Sequence, residues 1–354
     1  MSGKSSAARR KASMTDVAEL AGVSVMTVSN VINRPQIVAE ATRTKVHAAM
    51  RELRYRNNLV ARSLRLAQPR QIGYVLPAQD AVGNQYMDAF LHDLAAACQA
   101  ADRNLTLITE RGTDALMTAC EDLYFGQSVA GFVISNVGTE DPRPVELRKR
   151  GIPFAAYGRT GEAFASPWSW VEGDAALGIA MAVDHVAARG HRELAFVGAD
   201  HASVTMVQRE HGYREACLRL GLDGSLAAGR IVHSGSDLAS GVRAAADLLG
   251  AATNDTAASS AAPTALICVS DQVAAGAVIT LQSRGLVPGR DVAVTGYDDT
   301  PLTSFGPVGI TSVRQASAAI AAELVRLIID RPGGPEHVLL PPRLTPRSST
   351  DRAA

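Results

Sequence analysis

The sequence predicts an α/β protein: an all-α helix-turn-helix head joined to a larger body of two doubly wound parallel-sheet subdomains. Three observations carry this. In VAELAGVSVMTVSNVI, residues 17–32, a single glycine separates two short apolar-periodic runs. From residue 71 onward, short apolar strands alternate with amphipathic helical stretches. The two parts also carry opposite charge.

That opposition is hidden in a formal net charge of zero over 354 residues. Residues 1–70 hold 13 Lys and Arg against four acids (Asp16, Glu19, Glu40, Glu52), a net of +9, so the rest of the chain carries −9. A basic head on an acidic body is the electrostatic footprint of a nucleic-acid-binding module attached to something that does not bind nucleic acid. A merely solvated basic face is the blander alternative.

The head follows from local physics. Val17, Leu20 and Ala21 share one helical face, with Thr15 placed to cap and Asp16 and Glu19 suited to the positive end of the helix dipole. Gly22 stops this helix by taking a left-handed backbone at little steric cost. Ser24 is suited to cap a second helix, whose Val28, Val31 and Ile32 pack back on the first. Two short helices joined by such a turn form a helix-turn-helix. The remaining face of the second helix carries Val25, Met26, Ser29 and Asn30. Val25, Met26 and Asn30 are the base-reading candidates: Asn can bond adenine N7 and N6, and the apolar side chains suit the thymine methyl. A third helix is expected over about 40–53, with Val46, Ala49, Met50 and Leu53 as its stripe. The head is therefore assigned to 1–56.

Residues 57–70, NNLVARSLRLAQPR, are helix-patterned until Pro69. A dozen residues make a marginal helix in isolation. Such a linker orders when DNA or a second copy supplies contacts, which makes its folding a switch.

In the body (71–354) the expected strands are 72–76, 105–109, 131–135, 153–157, 194–198, 265–270 and 292–297, and Phe90, Leu94, Ala97, Cys98 and Ala101 give the first helix its stripe. About 280 residues is long for one doubly wound sheet and fits two. The Ala/Ser/Thr-rich stretch 251–262 reads as a flexible surface loop. Ligands of open α/β sheets bind beyond the carboxyl ends of the strands. That places Tyr86, Arg159, Arg209 and Asp271 at the expected effector site. Trp168, one of two tryptophans, is expected to stack on the apolar face of a sugar, while Trp170 reads as part of a strand and the interdomain core. Asp298 and Asp299 read as structural carboxylates at a strand end, with a polar contact to the effector as the alternative.

Other chemistries find little support. There is no G-x-G-x-x-G after the first strand, no P-loop, no G-x-S-x-G elbow and no metal-ligand spacing among four dispersed cysteines and eight scattered histidines. No cofactor or metal is expected, and catalysis is disfavoured. The cysteines read as reduced core thiols. With no apolar run near 18 residues and no signal h-region, the chain is expected in the cytoplasm and away from membranes.

A resemblance now becomes specific. DVAELAGVS-x-x-TVS, TRTKVHAAMRELRY and NN-x-VARSLR, in this order, resemble the head and hinge of the LacI/GalR family of bacterial transcription repressors. In the body, VEGDAALGIAMAVDHVAARGHRELAFVG, QREHGY, PTALICVSDQVAAGAV, VAVTGYDDTPL and TSVRQ extend the likeness along nearly the whole chain. The resemblance implies a periplasmic-binding-protein-like body hinged around a ligand cleft. Its N-subdomain would span about 71–167 and 302–334, and its C-subdomain about 168–299 and 337–349. It implies paired hinge helices in the minor groove, with Leu64 as the wedging leucine and Ala61 beside it. Thr15, Ser24, Thr27, Ser29, Asn33, Tyr55 and Asn58 complete the residues expected to touch DNA. Arg209 in R-x-x-G-Y and Asp271 in the S-D pair match positions that bond effector hydroxyls in the family. Asn30 stands where the family usually has Arg, and Arg54 and Asn57 where Gly and Pro are usual. The function implied is a ligand-responsive repressor that binds a pseudo-palindromic operator in double-stranded DNA as a homodimer. Its effector would be a sugar or sugar derivative, with a nucleobase as the alternative. A solute-binding receptor or sugar-processing enzyme with an incidental basic head is the rival reading.

Overall fold

The computed structural model describes residues 12–55, 69–76, 85–109, 112–138, 140–160, 166–199, 204–222, 230–254, 262–304 and 306–351. The chain divides into two units, Met1–Ala67 and Gln68–Ala354.

Among its described residues, the first unit holds three α-helices: α1 (Met14–Ala21), α2 (Val25–Asn33) and α3 (Glu40–Glu52). Ser13, rather than Thr15, caps α1. Its hydroxyl accepts from the Asp16 amide while the Asp16 carboxylate accepts from the Ser13 amide at 2.7 Å. This reciprocal box satisfies two otherwise orphaned donors, which a single Thr15 cap would not. Gly22 takes φ 65° and closes α1 as expected, and Ser24 caps α2 through a 3.0 Å bond from the Thr27 amide. Val17, Val28, Val31, Val46, Ala49 and Tyr55 form the shared core. Arg54, just past α3, holds φ 50°, a left-handed backbone that costs a non-glycine residue ~1 kcal/mol.

The second unit is built on two six-stranded sheets. In the first, β1 (Gln71–Val75), β2 (Asn104–Ile108), β3 (Val129–Ile134), β4 (Phe154–Tyr157), β5 (Trp170–Gly173) and β11 (His337–Leu340) lie in the order β11-β5-β4-β3-β1-β2, all parallel. Helices α4 (Gln85–Ala100), α5 (Thr113–Phe125), α6 (Pro142–Lys149) and α11 (Ser317–Asp330) belong with this sheet. In the second, β6 (Leu194–Ala199), β7 (Ile231–Ser234), β8 (Ala265–Cys268), β9 (Ala293–Tyr297), β10 (Thr311–Arg314) and β12 (Arg343–Thr345) lie in the order β12-β10-β9-β8-β6-β7. Only β12 is antiparallel, against β10. Its helices are α7 (Ala175–Ala188), α8 (Val204–Arg219), α9 (Leu238–Asn254) and α10 (Asp271–Ser283). Parallel strands covered on both faces need near-continuous apolar runs, and β3, β8 and β9 are buried at every position.

The chain passes between the sheets three times, and each passage differs from the expected boundary. β5 belongs to the first sheet, so the first crossover falls at Asp174 rather than at 168. Trp170 and Val171 fill the cores on the two faces of that sheet, and an apolar alternation reports a strand without saying which sheet it joins. β10 belongs to the second sheet, so the second crossover lies at 315–316 rather than near 302. β11 returns to the first sheet, which moves the third to Pro341–Pro342.

Helix α9 runs to Asn254, so 251–254 is helical where a loop was expected. All four cysteines are buried and unpaired by disulfides, and burial pushes the Cys98 and Cys120 thiols up to about 11. Among the described residues, no helix is long and apolar enough to cross a membrane.

Candidate nucleic-acid interface and effector cleft

In the head, the outward face of α2 is apolar where a lone soluble domain would be polar. Met26 is 70% exposed and Val25 44%, although the core lies on the opposite side of the same helix. Ser29 and Asn30 are half-buried beside them, and Thr15 and Ser24 are exposed. Asn33 is exposed, with its amide donating to the Ser29 carbonyl at 2.9 Å. Ser24 and Thr27 are tied to each other by a 2.9 Å hydroxyl bond at the helix start. Ser24, Val25, Met26 and Thr27 present the N-terminus of α2, the end that enters a major groove in this motif. Tyr55 differs from expectation: its ring is buried in the head core, because the backbone turn after α3 directs it inward, and its amide donates to the Met50 carbonyl. Asn58, Ala61 and Leu64 lie outside the described residues.

In the body, the carboxyl ends of the two sheets bring one hydrogen-bonded chain of side chains together. Tyr157 ends β4, and its hydroxyl bonds that of Tyr86 from the start of α4. Tyr157 also donates to Gln315 Oε1 at 3.3 Å. Gln315, on the second crossover, donates through Nε2 to Asp298 Oδ1 at 2.7 Å. Asp298, directly after β9, faces the Arg209 guanidinium of α8 at 3.5 Å. Arg209 in turn donates to the Val269 carbonyl at the end of β8 and lies 3.7 Å from the centroid of the Tyr297 ring. Side chains from both subdomains and from a crossover thus share one network.

Burial sets the electrostatics there. It holds the Asp298 carboxyl above its ordinary range despite the opposing charge of Arg209 and the bond from Gln315. It raises Tyr86, Tyr157 and Tyr297 as well, so their hydroxyls stay neutral. Among the described residues, the Arg209 Nε is a buried polar group without a hydrogen-bond partner. Such groups are costly unless something satisfies them. The site therefore offers neutral hydroxyls, an amide and an ion pair, a set suited to bonding several hydroxyls of a small molecule.

Tyr86 and Arg209 stand where expected. Three other residues do not. Asp271 is 1% exposed, and its carboxylate is spent internally: Oδ1 accepts from Ser312 at 2.6 Å, and Oδ2 from the Thr300 amide at 2.6 Å and hydroxyl at 2.9 Å. Burial, with the nearby charge of Asp298, pushes its carboxyl up to about 7. Arg159 is 3% exposed, paired with Glu172 at 3.0 Å and lying over the Trp170 ring at 5.5 Å. Burial also pushes the Glu172 carboxyl up to about 7. Trp168 packs against Phe154, the first residue of β4. The parallel register pairs Ala156 with Trp170, so Trp168 sits near the amino-terminal edge of the sheet, away from the cleft. Tyr157 and Gln315 were missed, although Tyr157 ends its strand immediately before Gly158, the place where such searches begin.

Comparison with known proteins agrees with this two-part geometry. Bacterial regulatory proteins of the lacI family match residues 13–58, and the periplasmic binding protein-like domain matches 183–350. The HTH-type transcriptional regulator CelR of Thermobifida fusca is 29% identical over 350 residues, covering 96% of this chain and 99% of CelR. The ribose operon repressor of Escherichia coli (strain K12) is 28% identical over 321 residues, covering 90% and 93%. Among solved structures, the CelR–cellobiose complex aligns with a TM-score of 0.69 at 27% identity, covering 96% of this chain and 99% of that one. The lac repressor dimer bound to operator and the anti-inducer ONPF aligns at 0.75 and 26%, covering 97% and 100%. The fold and the two sites define a helix-turn-helix regulator carried on a periplasmic-binding-protein-like body. The chain carries a lacI-family helix-turn-helix domain and a periplasmic-binding-protein-like domain, and the relatives it matches along nearly its whole length are LacI-type transcriptional regulators.

Proposed function

We propose that the protein is a cytoplasmic repressor that binds a pseudo-palindromic operator as a homodimer and is controlled by an uncharged sugar in the cleft of its body. The observation that carries this reading is the convergence of Tyr86, Tyr157, Gln315, Asp298 and Arg209 at the carboxyl ends of two sheets. Structural relatives with the same architecture include a regulator in complex with cellobiose and a repressor dimer on its operator. The charge balance favours a neutral sugar over a phosphorylated one. Among the described residues, the guanidiniums near the strand ends already face carboxylates: Arg209 with Asp298, Arg159 with Glu172, and Arg143 with Asp141 at 2.6 Å. An added anionic group would have to displace one of them.

In this mechanism the exposed face of α2 reads bases in the major groove, and the effector acts on DNA affinity through the angle between the subdomains; most of the 57–70 linker expected to carry that change lies outside the described residues. An effector shifts that angle only by its difference in affinity for the two arrangements. The regulators and repressors this chain matches favour a regulatory over a catalytic role for the cleft. The reading is tested by titrating the full-length protein with cellobiose and with ribose, following thermal stabilisation and release of duplex DNA. Arg209→Ala should abolish the sugar response and leave DNA affinity intact. DNA binding that collapses together with the sugar response would refute the separation of the two sites.

A further inference from the structure

The tandem Asp298–Asp299 turns its two carboxylates to different tasks, and only the first belongs to the cleft network. Asp299 is fully buried at its side chain. Its Oδ2 accepts from Arg314 Nε at 2.6 Å and from the Thr345 hydroxyl at 3.0 Å. Its Oδ1 meets Arg347 at 2.7 Å and the Thr303 hydroxyl at 3.3 Å. Arg314 is the last residue of β10, immediately before the second crossover, while Thr345 and Arg347 follow the third. One carboxylate thus grips the second-subdomain ends of two of the three passages. The first passage is tied in by other bonds. The Asp174 amide donates to the Leu340 carbonyl at 2.8 Å, and the Gln315 side chain lies over Gly173.

Asp298 and Asp299 have φ of 98° and 50°, backbone that L-residues adopt only when their surroundings impose it. Burial alone would raise the Asp299 carboxyl, but the bonds from Arg347, Arg314 and Thr345 hold it below its ordinary range. It is therefore a charged pin within its clamp.

We propose that Asp299 is a positioning residue that fixes the angle between the subdomains, so that the neighbouring Asp298 moves with the crossovers when the cleft is occupied. The proposal deepens the sugar-controlled reading, but its test needs no effector, so the two can fail separately.

The test places spin labels on the full-length protein at Val145→Cys in α6 and Leu218→Cys in α8, positions 54% and 69% exposed on the two subdomains. The native cysteines are buried. Inter-label distances are measured by pulsed electron resonance after dilution with unlabelled protein. Asp299→Asn should broaden the distribution or add a second distance, while circular dichroism stays native. Arg314→Gln, at a side chain 62% exposed, should act in the same direction with little risk to folding. Asp184→Asn, which removes an exposed pair with Arg219 in the same subdomain, should leave the distribution as in the wild type. Distributions for both Asp299→Asn and Arg314→Gln that superimpose on the wild type would overturn the proposal. If Asp299→Asn fails to fold, Arg314→Gln decides alone.

Discussion

The Ser312 hydroxyl donates a 2.6 Å hydrogen bond to Asp271 Oδ1, joining the start of α10 to the middle of β10 beneath the cleft. With Thr300 occupying the other oxygen, Asp271 is an internal acceptor that holds the loop after β9 in place. Asp271→Ala should destabilise the body by about 3 kcal/mol, because it strands buried donors. Chemical denaturation checks this. A variant of wild-type stability that had lost only its effector response would contradict it.

The same carboxyl gives a pH signature. Its folded value of about 7 lies above that of an unfolded aspartate, so its contribution is fully present below about pH 4 and is lost as pH rises through 7. In Asp271→Asn that titration is gone. The stability advantage of the wild type over this variant should shrink between pH 4 and 7, as followed by melting temperature, and hold level above.

His185 acts with the opposite sign. Its Nε2 bonds the Thr350 hydroxyl at 2.8 Å, and the Arg189 guanidinium donates to Nδ1 at 3.1 Å, an arrangement that needs a neutral ring. Burial, helped by the charge of Arg189, pushes its value down to about 4. Its contribution is therefore present above the ordinary histidine range and is lost as pH falls through 4. His185→Gln should melt below the wild type at pH 7.5, with a gap that narrows at pH 4.5. A gap independent of pH would rule this out.

Gly178 on α7 bears on the cleft indirectly. A Cβ at this position would come within 2.6 Å of the Tyr297 hydroxyl and 2.9 Å of Val313. Gly178→Ala should cost about 1–3 kcal/mol by overpacking. Because it displaces the ring on which Arg209 rests, it should also weaken effector binding measured by calorimetry. Unchanged affinity would show that the Tyr297–Arg209 stack does not position the guanidinium.

Met26 tests the head. Its side chain is 70% exposed, so Met26→Ala should leave the head's melting unchanged. It should weaken specific DNA binding by ~1–3 kcal/mol, about the cost of one lost base contact. An equal loss on all sequences would make Met26 a shape or backbone contact instead.

Much of this was legible in the chain. Gly22 between Val17–Ala21 and Val28–Ile32 located the break between the head's first two helices, because capping and a 3.6-residue stripe are local properties. Strands such as 131–135 and 194–198 were legible as buried apolar runs. Which sheet a strand joins was not, since Trp170–Gly173 and His337–Leu340 pair with partners far away in sequence. The same holds for the site. Arg209 and Tyr86 follow from the strand-end rule, but the same rule also picks Asp271, and Asp298 reads from sequence as a structural carboxylate with the effector contact only as the alternative. Only Ser312 and Thr300, brought in by folding, direct one carboxylate inward and leave the other in the cleft network. Trp168 failed for a related reason: its distance from the cleft is set by the β4–β5 register.

The most direct test of the account is the affinity of the full-length protein for duplexes it selects from a random pool, measured at several salt concentrations with and without saturating neutral sugars. The account predicts enrichment of a pseudo-palindrome, affinity that falls steeply with salt, and a change in that affinity with at least one sugar that stabilises the body against heat. A sugar that binds the body and stabilises it, yet leaves operator affinity the same at every salt concentration, would contradict it.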